Sequence, residues 1–174
     1  AAWDFLAQNR TSLELTTINP GAILGPVLEK DYGTSAEIVL KLLKGDFPGM
    51  PRIGFPLVDV RDVAELHVRA ITHPAAAGQR FLCANEFLWM EDIAAILREH
   101  LPAYAKKMPR RRLPNWLVRA GALFDPVTRS VIFELGIRRD CDARRVREVF
   151  GHTLRSNREA IVATADSLRA HGLV

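Results

Sequence analysis

Apolar and polar residues alternate, or recur at helical spacing, in successive segments along most of the chain. Segment 12–19 is rich in β-branched residues and alternates apolar and polar positions, which is typical of a strand. Shorter apolar segments at 55–60 and 79–84 predict two further strands. Apolar residues three and four positions apart predict helices at 1–9, 36–44, 61–73, 89–100, 116–124, 142–150 and 157–171. Helices that alternate with strands in this way predict an α/β fold.

The first predicted helix lacks a start signal. Trp3, Leu6 and Ala7 share one face of segment 1–9, yet no capping residue precedes them. A helix without a cap looks like the second half of a longer one. We therefore expect the chain to be a fragment.

A loop rich in proline and glycine follows the first strand. Pro20, Gly21, Gly25 and Pro26 interrupt regular backbone, because proline lacks an N–H and glycine permits positive φ. In open α/β sheets, ligands bind at such strand ends. Ordinary turns have the same composition, so the residues alone leave a ligand site and a plain turn equally open.

The start of the helix at 36–44 offers a second candidate for ligand binding. Thr34 or Ser35 is the predicted N-cap, and Gly45 ends the helix. Hydroxyl and free N–H groups at a helix N-terminus attract anions, although a plain cap explains the same residues. On the residues alone, the cap is the simpler interpretation.

Two acidic residues and one histidine mark the helix predicted at 61–73. Asp59 and Asp62 lie near its start, which suits capping and the helix dipole better than acid–base chemistry. His67 lies near the apolar face, so we expect a packed, hydrogen-bonded residue rather than a catalyst. These three residues therefore predict structure rather than chemistry.

Composition and charge narrow the class of protein. Apolar residues make up 48% of the 174 and charged residues 25%, as in soluble globular proteins. We see no membrane-length apolar run and no signal peptide, so we expect a cytoplasmic protein with reduced Cys83 and Cys141. The five histidines are scattered, and we predict no metal site.

The positive charge of the chain, +4 in total, is concentrated at 110–112 and 138–147, without interleaved aromatic residues. This pattern predicts a solvated surface, and we expect neither nucleic-acid nor membrane binding.

Motifs that signal a self-sufficient catalytic site are absent from the sequence. There is no GxGxxG or GxxGxxG loop for a dinucleotide, no P-loop and no GxSxG elbow. Tyr32 and Tyr104 are followed four positions later by Ala36 and Met108, not by lysine. We therefore predict no catalytic residue within this chain.

Four segments occur in an order and at a spacing that resemble one family, and the match extends over essentially the whole chain. They are 1–5 (AAWDF), 18–26 (INPGAILGP), 58–67 (VDVRDVAELH) and 78–81 (GQRF). The set resembles the C-terminal half of an extended short-chain dehydrogenase/reductase, nearest the dihydroflavonol 4-reductase, cinnamoyl-CoA reductase and aldehyde reductase branch. The resemblance implies that residues 1–26 are the end of the catalytic helix and the last strand of the Rossmann half, with its cofactor loop. It implies a small mixed α/β substrate-binding domain over residues 27–174.

The resemblance also assigns cofactor contacts. The family's proline that faces the nicotinamide matches Pro20, and the backbone that lines the same region matches Gly21, Ala22 and Ile23. The family's serine that contacts a cofactor phosphate matches Ser35, which favours the anion interpretation of that helix start. The implied cofactor is NADP or NAD, bound mostly by an N-terminal half that would carry the GxxGxxG and Tyr-x-x-x-Lys motifs.

Phe55 separates this chain from the nucleotide-sugar enzymes of the same superfamily. Those enzymes have an arginine about three residues before the position of Val58 to hold the phosphates, and an apolar wall cannot do so. We therefore expect reduction of a small aldehyde or ketone, in a pocket around Met50, Phe55 and Leu57. The implied reaction is hydride transfer, and this chain alone is expected to be inactive.

Two alternatives remain open at this point. One is a nucleotide-sugar epimerase or dehydratase, and the other is a binding module that kept the fold and lost the chemistry. A homo-oligomer, or self-association through an apolar face, is also expected, because a fragment would expose surface that its other half covers.

Overall fold

The helices of this protein pack against two small β-sheets. The computed structural model describes residues 2–9, 12–123, 129 and 132–174. One sheet pairs β1 (Thr17–Pro20) in parallel with β4 (Arg80–Cys83). In the other sheet, β3 (Gly54–Asp59) lies between β2 (Ala22–Leu24), which is parallel to it, and β5 (Phe87–Trp89), which is antiparallel. The fold is the mixed α/β arrangement that the sequence predicts.

The helices follow the apolar periodicity of the sequence. They are α1 (Ala2–Gln8), α2 (Thr34–Lys44), α3 (Val60–Thr72), α4 (Met90–His100), α5 (Asn115–Gly121), α6 (Arg144–Phe150) and α7 (Asn157–Ala170), with short 3-10 helices at Pro102–Tyr104 and Ile132–Glu134. The predicted helix at 116–124 corresponds to α5, and its last predicted residue, Phe124, lies outside the described residues. Within the described ranges, no helix combines the length and the apolar character needed to cross a membrane.

Two apolar clusters hold these elements together. The larger lies between the three-stranded sheet and helices α2, α4 and α7, where Leu42, Leu97 and Ile161 are fully buried. The smaller packs α3 and α6 against the two-stranded sheet around Phe81 and Phe150, whose ring centroids are 4.6 Å apart. Removal of this apolar surface from water is the main driving force for the fold.

A single residue, Gly21, carries the chain from one sheet to the other. Its N–H donates to the Cys83 carbonyl oxygen at 3.0 Å, next to the end of β1. A Cβ atom built on Gly21 would lie 2.3 Å from the Pro56 carbonyl oxygen, so a side chain has no room here. Because β4 follows residue 26 and pairs with β1, the first sheet draws on both of the segments, 1–26 and 27–174, that the resemblance implies.

The strands differ from the prediction where tertiary pairing decides their length. Regular pairing begins at Thr17, opposite Arg80, although the alternating pattern begins at residue 12. Leu13 in that earlier part is 67% exposed, so burial does not reinforce a strand there. The sequence did not predict β2 and β5, because a strand of three residues is too short to show an alternation of apolar and polar positions.

The start of α2 differs from the prediction, and that of α7 agrees with it. α2 has Gly33 as its N-cap, in extended conformation and without a side-chain cap, so the prediction of Thr34 or Ser35 is wrong. Both residues already lie within the first helical turn. α7 begins at Asn157, as predicted, and its N-cap is Ser156, whose hydroxyl accepts from the Glu159 N–H.

Candidate functional site

The loop that follows β2 approaches the start of α3 very closely. Gly25 has a φ of 128°, which favours glycine. A Cβ atom built there would lie 2.8 Å from Val60 Cγ1 and 3.0 Å from Asp59 Oδ1. The second glycine of the predicted ligand loop is therefore needed both for its backbone angle and for its lack of a side chain.

Helix α7 and its C-cap residue, His171, fix this loop through three polar side chains. The Gly25 N–H donates to Thr164 Oγ1 at 2.7 Å, and the Val27 N–H donates to Ser167 Oγ at 2.8 Å. His171 Nε2 lies 3.0 Å from the Val27 carbonyl oxygen. The contacts join residues about 140 positions apart in the chain, so the sequence gives no local signal for them.

A cavity of about 580 Å³ opens between this loop and the start of α2, and we call it the loop cavity. Three of the five predicted cofactor residues, Gly21, Ile23 and Ser35, lie in its lining. Pro20 is exposed at the end of β1, and Ala22 pairs with Leu57 between β2 and β3. Neither Pro20 nor Ala22 is among the described lining residues, and their cofactor contacts stay predictions.

The N-terminus of α2 is the feature of the loop cavity that favours an anion. The helix is 11 residues long, and no side chain caps the N–H groups of its first turn. The helix dipole adds partial positive charge at the same end, which favours a phosphate group. Glu29 and Asp31 also lie in the lining, so an anion bound here would rely on backbone amides and on the Ser35 hydroxyl. The described residues thus fit the phosphate end of a nucleotide cofactor.

A second cavity, of about 480 Å³, lies along α2, and we call it the apolar pocket. Phe55 lines it, as the sequence predicts for the substrate pocket. Met50 and Leu57, predicted for the same pocket, are buried in the larger apolar cluster at 2% and 1% exposure and are not among the described lining residues. Met90 and Val118 also line the pocket. The sequence did not predict them, because they belong to α4 and α5, which are distant in the chain from Phe55.

Asp59 caps α3, as the sequence predicts. Its Oδ1 accepts from the Arg61 N–H at 2.9 Å, and its Oδ2 pairs with the Arg61 guanidinium at 2.6 Å. Burial raises the pKa of Asp59, but the hydrogen bonds from Arg61 outweigh this effect and hold the pKa below its ordinary value. Asp59 is therefore an ionised capping residue rather than a proton donor.

Asp62 is not a cap, and the prediction for this residue is wrong. Its buried Oδ1 lies 3.0 Å from His152 Nε2 and pairs with the Arg155 guanidinium, and its Oδ2 accepts from the Arg155 N–H at 2.8 Å. Glu65 also approaches, so that one ligand atom each of Asp62, Glu65 and His152 lie within 4.8 Å of one another. Arg155 and Arg69 pair with the two carboxylates, which makes the cluster an ion-pair network and not a cation site. Partners about 90 residues away thus override the local capping pattern.

His67 and the two cysteines lie outside both described cavity linings. His67 is exposed, with Nδ1 2.8 Å from the Val63 carbonyl oxygen, so the prediction of a packed core position is wrong. The helix turns Val63 and Leu66 into the core instead. Burial raises the pKa of the Cys83 thiol to about 12 and also raises the pKa of Cys141, so neither thiol is poised as a nucleophile.

Comparison with known proteins identifies reductases that are similar to this chain. No protein-family model matches the chain. An uncharacterized oxidoreductase of Saccharomyces cerevisiae is 33% identical over 178 residues, which cover 96% of this chain and 46% of that protein. Cinnamoyl-CoA reductase of Medicago truncatula is 35% identical over 103 residues, which cover 59% of this chain and 30% of that protein. The crystal structure of yeast methylglyoxal/isovaleraldehyde reductase complexed with NADPH aligns with a TM-score of 0.74 at 27% identity, covering 99% of this chain and 49% of that one.

The described elements form a mixed α/β fold that matches part of Rossmann-type proteins. The chain is similar in sequence and in fold to the C-terminal part of reductases of the extended short-chain dehydrogenase/reductase type. It spans about half the length of the curated relatives it matches. The family and the branch that the sequence motifs resemble are thereby confirmed.

Proposed function

We propose that this chain forms the nicotinamide-side wall and the substrate pocket of an NADPH-dependent carbonyl reductase. The observation that carries the proposal is the meeting of Gly21, Ile23 and Ser35 in one cavity beside an apolar pocket. Relatives whose names describe NADPH-dependent and carbonyl-directed reductases support the same assignment. In this proposal residues 1–26 carry the cofactor loop, and residues 27–174 form most of the substrate pocket.

Each predicted cofactor residue has a defined task in this proposal. The first turn of α2 and the Ser35 hydroxyl bind a cofactor phosphate. Pro20, and the backbone of Gly21, Ala22 and Ile23, form the surface against which the nicotinamide lies. The cofactor, when bound, supplies the hydride for the carbonyl carbon. Tyr32 and Tyr104 lack the accompanying lysine, so the proposal assigns the proton donor to the half of the enzyme outside this chain.

A carbonyl substrate fits the pocket better than a sugar nucleotide does. Phe55 stands where the nucleotide-sugar enzymes have a phosphate-binding arginine, and its aromatic ring lines the apolar pocket. A pyrophosphate would lie against apolar surface there, at a high cost in desolvation. The proposed reaction takes place in the cytoplasm, where the free Cys83 and Cys141 would remain reduced.

The test compares the complete gene product with the 174-residue chain alone. We expect the complete protein to oxidise NADPH in the presence of benzaldehyde or methylglyoxal and to leave UDP-glucose unchanged. We expect the isolated chain to oxidise no NADPH and to bind it with a dissociation constant weaker than micromolar. Micromolar affinity of the isolated chain, or turnover of the sugar nucleotide alone, would contradict the proposal.

A further inference from the structure

We infer that the apolar pocket selects carbonyl substrates by an uncharged aryl or branched-alkyl group and rejects substrates that carry a carboxylate near the carbonyl. The inference rests on the proposed function, which it deepens by naming the substrate class. Three observations support it: the apolar composition of the pocket, the pairing of the two charged side chains in its described lining, and its position beside the loop cavity.

The floor and walls of the pocket are apolar. Ile53, Met90 and Val118 form buried parts of the lining at 4%, 3% and 6% exposure. Ile38 and Phe55 are partly buried and complete the apolar surface. A volume of about 480 Å³ lies within the usual range of small-ligand pockets, and it accommodates an aromatic ring or a branched alkyl group.

The charged side chains of the described lining neutralise each other. Lys41 Nζ lies 3.0 Å from Glu37 Oε1, one helical turn away on α2, and the two side chains are 33% and 37% exposed. Lys41 is therefore already paired with Glu37. A carboxylate placed in the pocket would lose its hydration without gaining a free cation, which is costly. The pocket thus discriminates by charge as well as by shape.

Two structural links place the pocket beside the loop cavity. Thr34, at the start of α2, lies in the lining of both cavities. Phe55 lines the pocket, and the next residue, Pro56, is the one whose carbonyl oxygen leaves no room for a side chain on Gly21. A group held in the pocket is therefore next to the wall that the proposed function gives to the nicotinamide. This position suits the non-reacting end of a carbonyl substrate.

The methionines of the chain provide a direct probe of ligand binding. The sequence contains three, and Met90 belongs to the pocket lining whereas the buried Met50 and Met108 do not. We would record the NMR signals of methyl-labelled methionine while adding benzyl alcohol or benzoate, which differ chiefly in the charge of one group. The Met90 signal is assigned with Met90→Leu. No NADPH is added, so the result does not depend on turnover.

We expect benzyl alcohol to shift the Met90 signal and to leave those of Met50 and Met108 in place. We expect benzoate to bind at least about tenfold more weakly, because its charge is buried without a partner. An unmoved Met90 signal, equal shifts of all three signals, or equal affinity for the two compounds would overturn the inference. If benzyl alcohol binds but the complete protein oxidises no NADPH, the proposed function fails while the pocket assignment stands.

A matched pair of variants checks the location of the ligand. Ile38 and Ile96 are both partly buried helical residues packed against the larger cluster, and only Ile38 lines the pocket. Ile38→Phe fills part of the cavity and should weaken benzyl alcohol binding about tenfold, whereas Ile96→Phe should leave the affinity unchanged. Unchanged Met50 and Met108 signals confirm that each variant is folded. Equal effects of the two substitutions would overturn the assignment.

Discussion

Gly21 occupies a point at which the backbone of β3 leaves no space for a side chain. The substitution Gly21→Ala would place a Cβ atom 2.3 Å from the Pro56 carbonyl oxygen, so the backbone of one strand has to move. We expect the free energy of unfolding to fall by about 1–3 kcal/mol, the usual cost of overpacking. Urea unfolding followed by circular dichroism measures the change.

Gly121→Ala is the control for this substitution. Gly121 lies at the end of α5, and a Cβ atom built there meets nothing within 4 Å. We expect a neutral or slightly stabilising effect, because alanine favours helix over glycine by up to about 1 kcal/mol. A Gly21→Ala variant as stable as this control would contradict the close approach between β3 and the loop.

The ion pair of Asp59 with Arg61 should make the stability of the fold depend on pH. Its lowered native pKa means that it stabilises the fold above the pKa of an unfolded aspartate, about 3.9, and that this stabilisation disappears as the pH falls through the native pKa. Asp59→Asn keeps an acceptor for the Arg61 N–H but removes the charge. Wild type should exceed the variant in unfolding free energy near neutral pH, and the difference should shrink toward zero in acid. A difference that does not change with pH would rule out the charged pair with Arg61.

At the scale of elements, helix α7 positions the loop that follows β2. Thr164→Val keeps the size of the side chain but removes the oxygen that accepts from the buried Gly25 N–H. We expect a loss of about 1–3 kcal/mol in unfolding free energy and faster amide exchange at Gly25. Thr164→Ser retains the acceptor and should restore slow exchange. Fast exchange in the serine variant as well would argue against the contact.

Helices with a clear apolar period were predictable from the sequence, and very short strands were not. α4 and α3 have four-residue spacing and recognisable ends, and each appears within a few residues of its predicted bounds. β2 and β5 exist because neighbouring β3 supplies their hydrogen bonds, which no local pattern encodes. The N-cap of α2 was also not predictable, because the helix begins at Thr34 and leaves Gly33, which has no side chain, at the cap position.

At the scale of the whole molecule, several apolar side chains remain uncovered. Phe5, Leu13, Val68, Ile71 and Leu82 are between 43% and 83% exposed, on α1, on α3 and near the two-stranded sheet. Exposed apolar surface of this kind favours association. We expect light scattering to show dimers or larger species of the isolated chain as its concentration rises. A monomer at every concentration would contradict this expectation.

The candidate site was predictable only in the part that follows a sequence motif. Gly21 and Ile23 belong to a segment that resembles the family, and Ser35 matches the family's phosphate-contacting serine. The fold brings the three residues into one cavity. The wall of the apolar pocket depends on how α4 and α5 pack, which the sequence does not show. Met90 and Val118 were therefore not predicted as lining residues, whereas Met50 and Leu57 were. The Asp62 network likewise depends on a loop about 90 residues away.

The start of α2 is the element on which the proposed cofactor site depends most. Ser35→Glu places a carboxylate where the proposal places a cofactor phosphate, and Ser12→Glu adds the same charge at an exposed position away from both cavities. Like charges at one anion site repel, and the helix N-terminus would already be neutralised by the new side chain.

The decisive measurement is the NADPH dependence of benzaldehyde reduction by the complete gene product with each of these substitutions. We predict NADPH oxidation by the unmodified protein, a rise of about tenfold or more in the KM for NADPH with Ser35→Glu, equivalent to about 1.4 kcal/mol, and no change with Ser12→Glu. Absence of NADPH oxidation in the unmodified protein, or equal KM values for the two variants, would contradict a cofactor site at this helix.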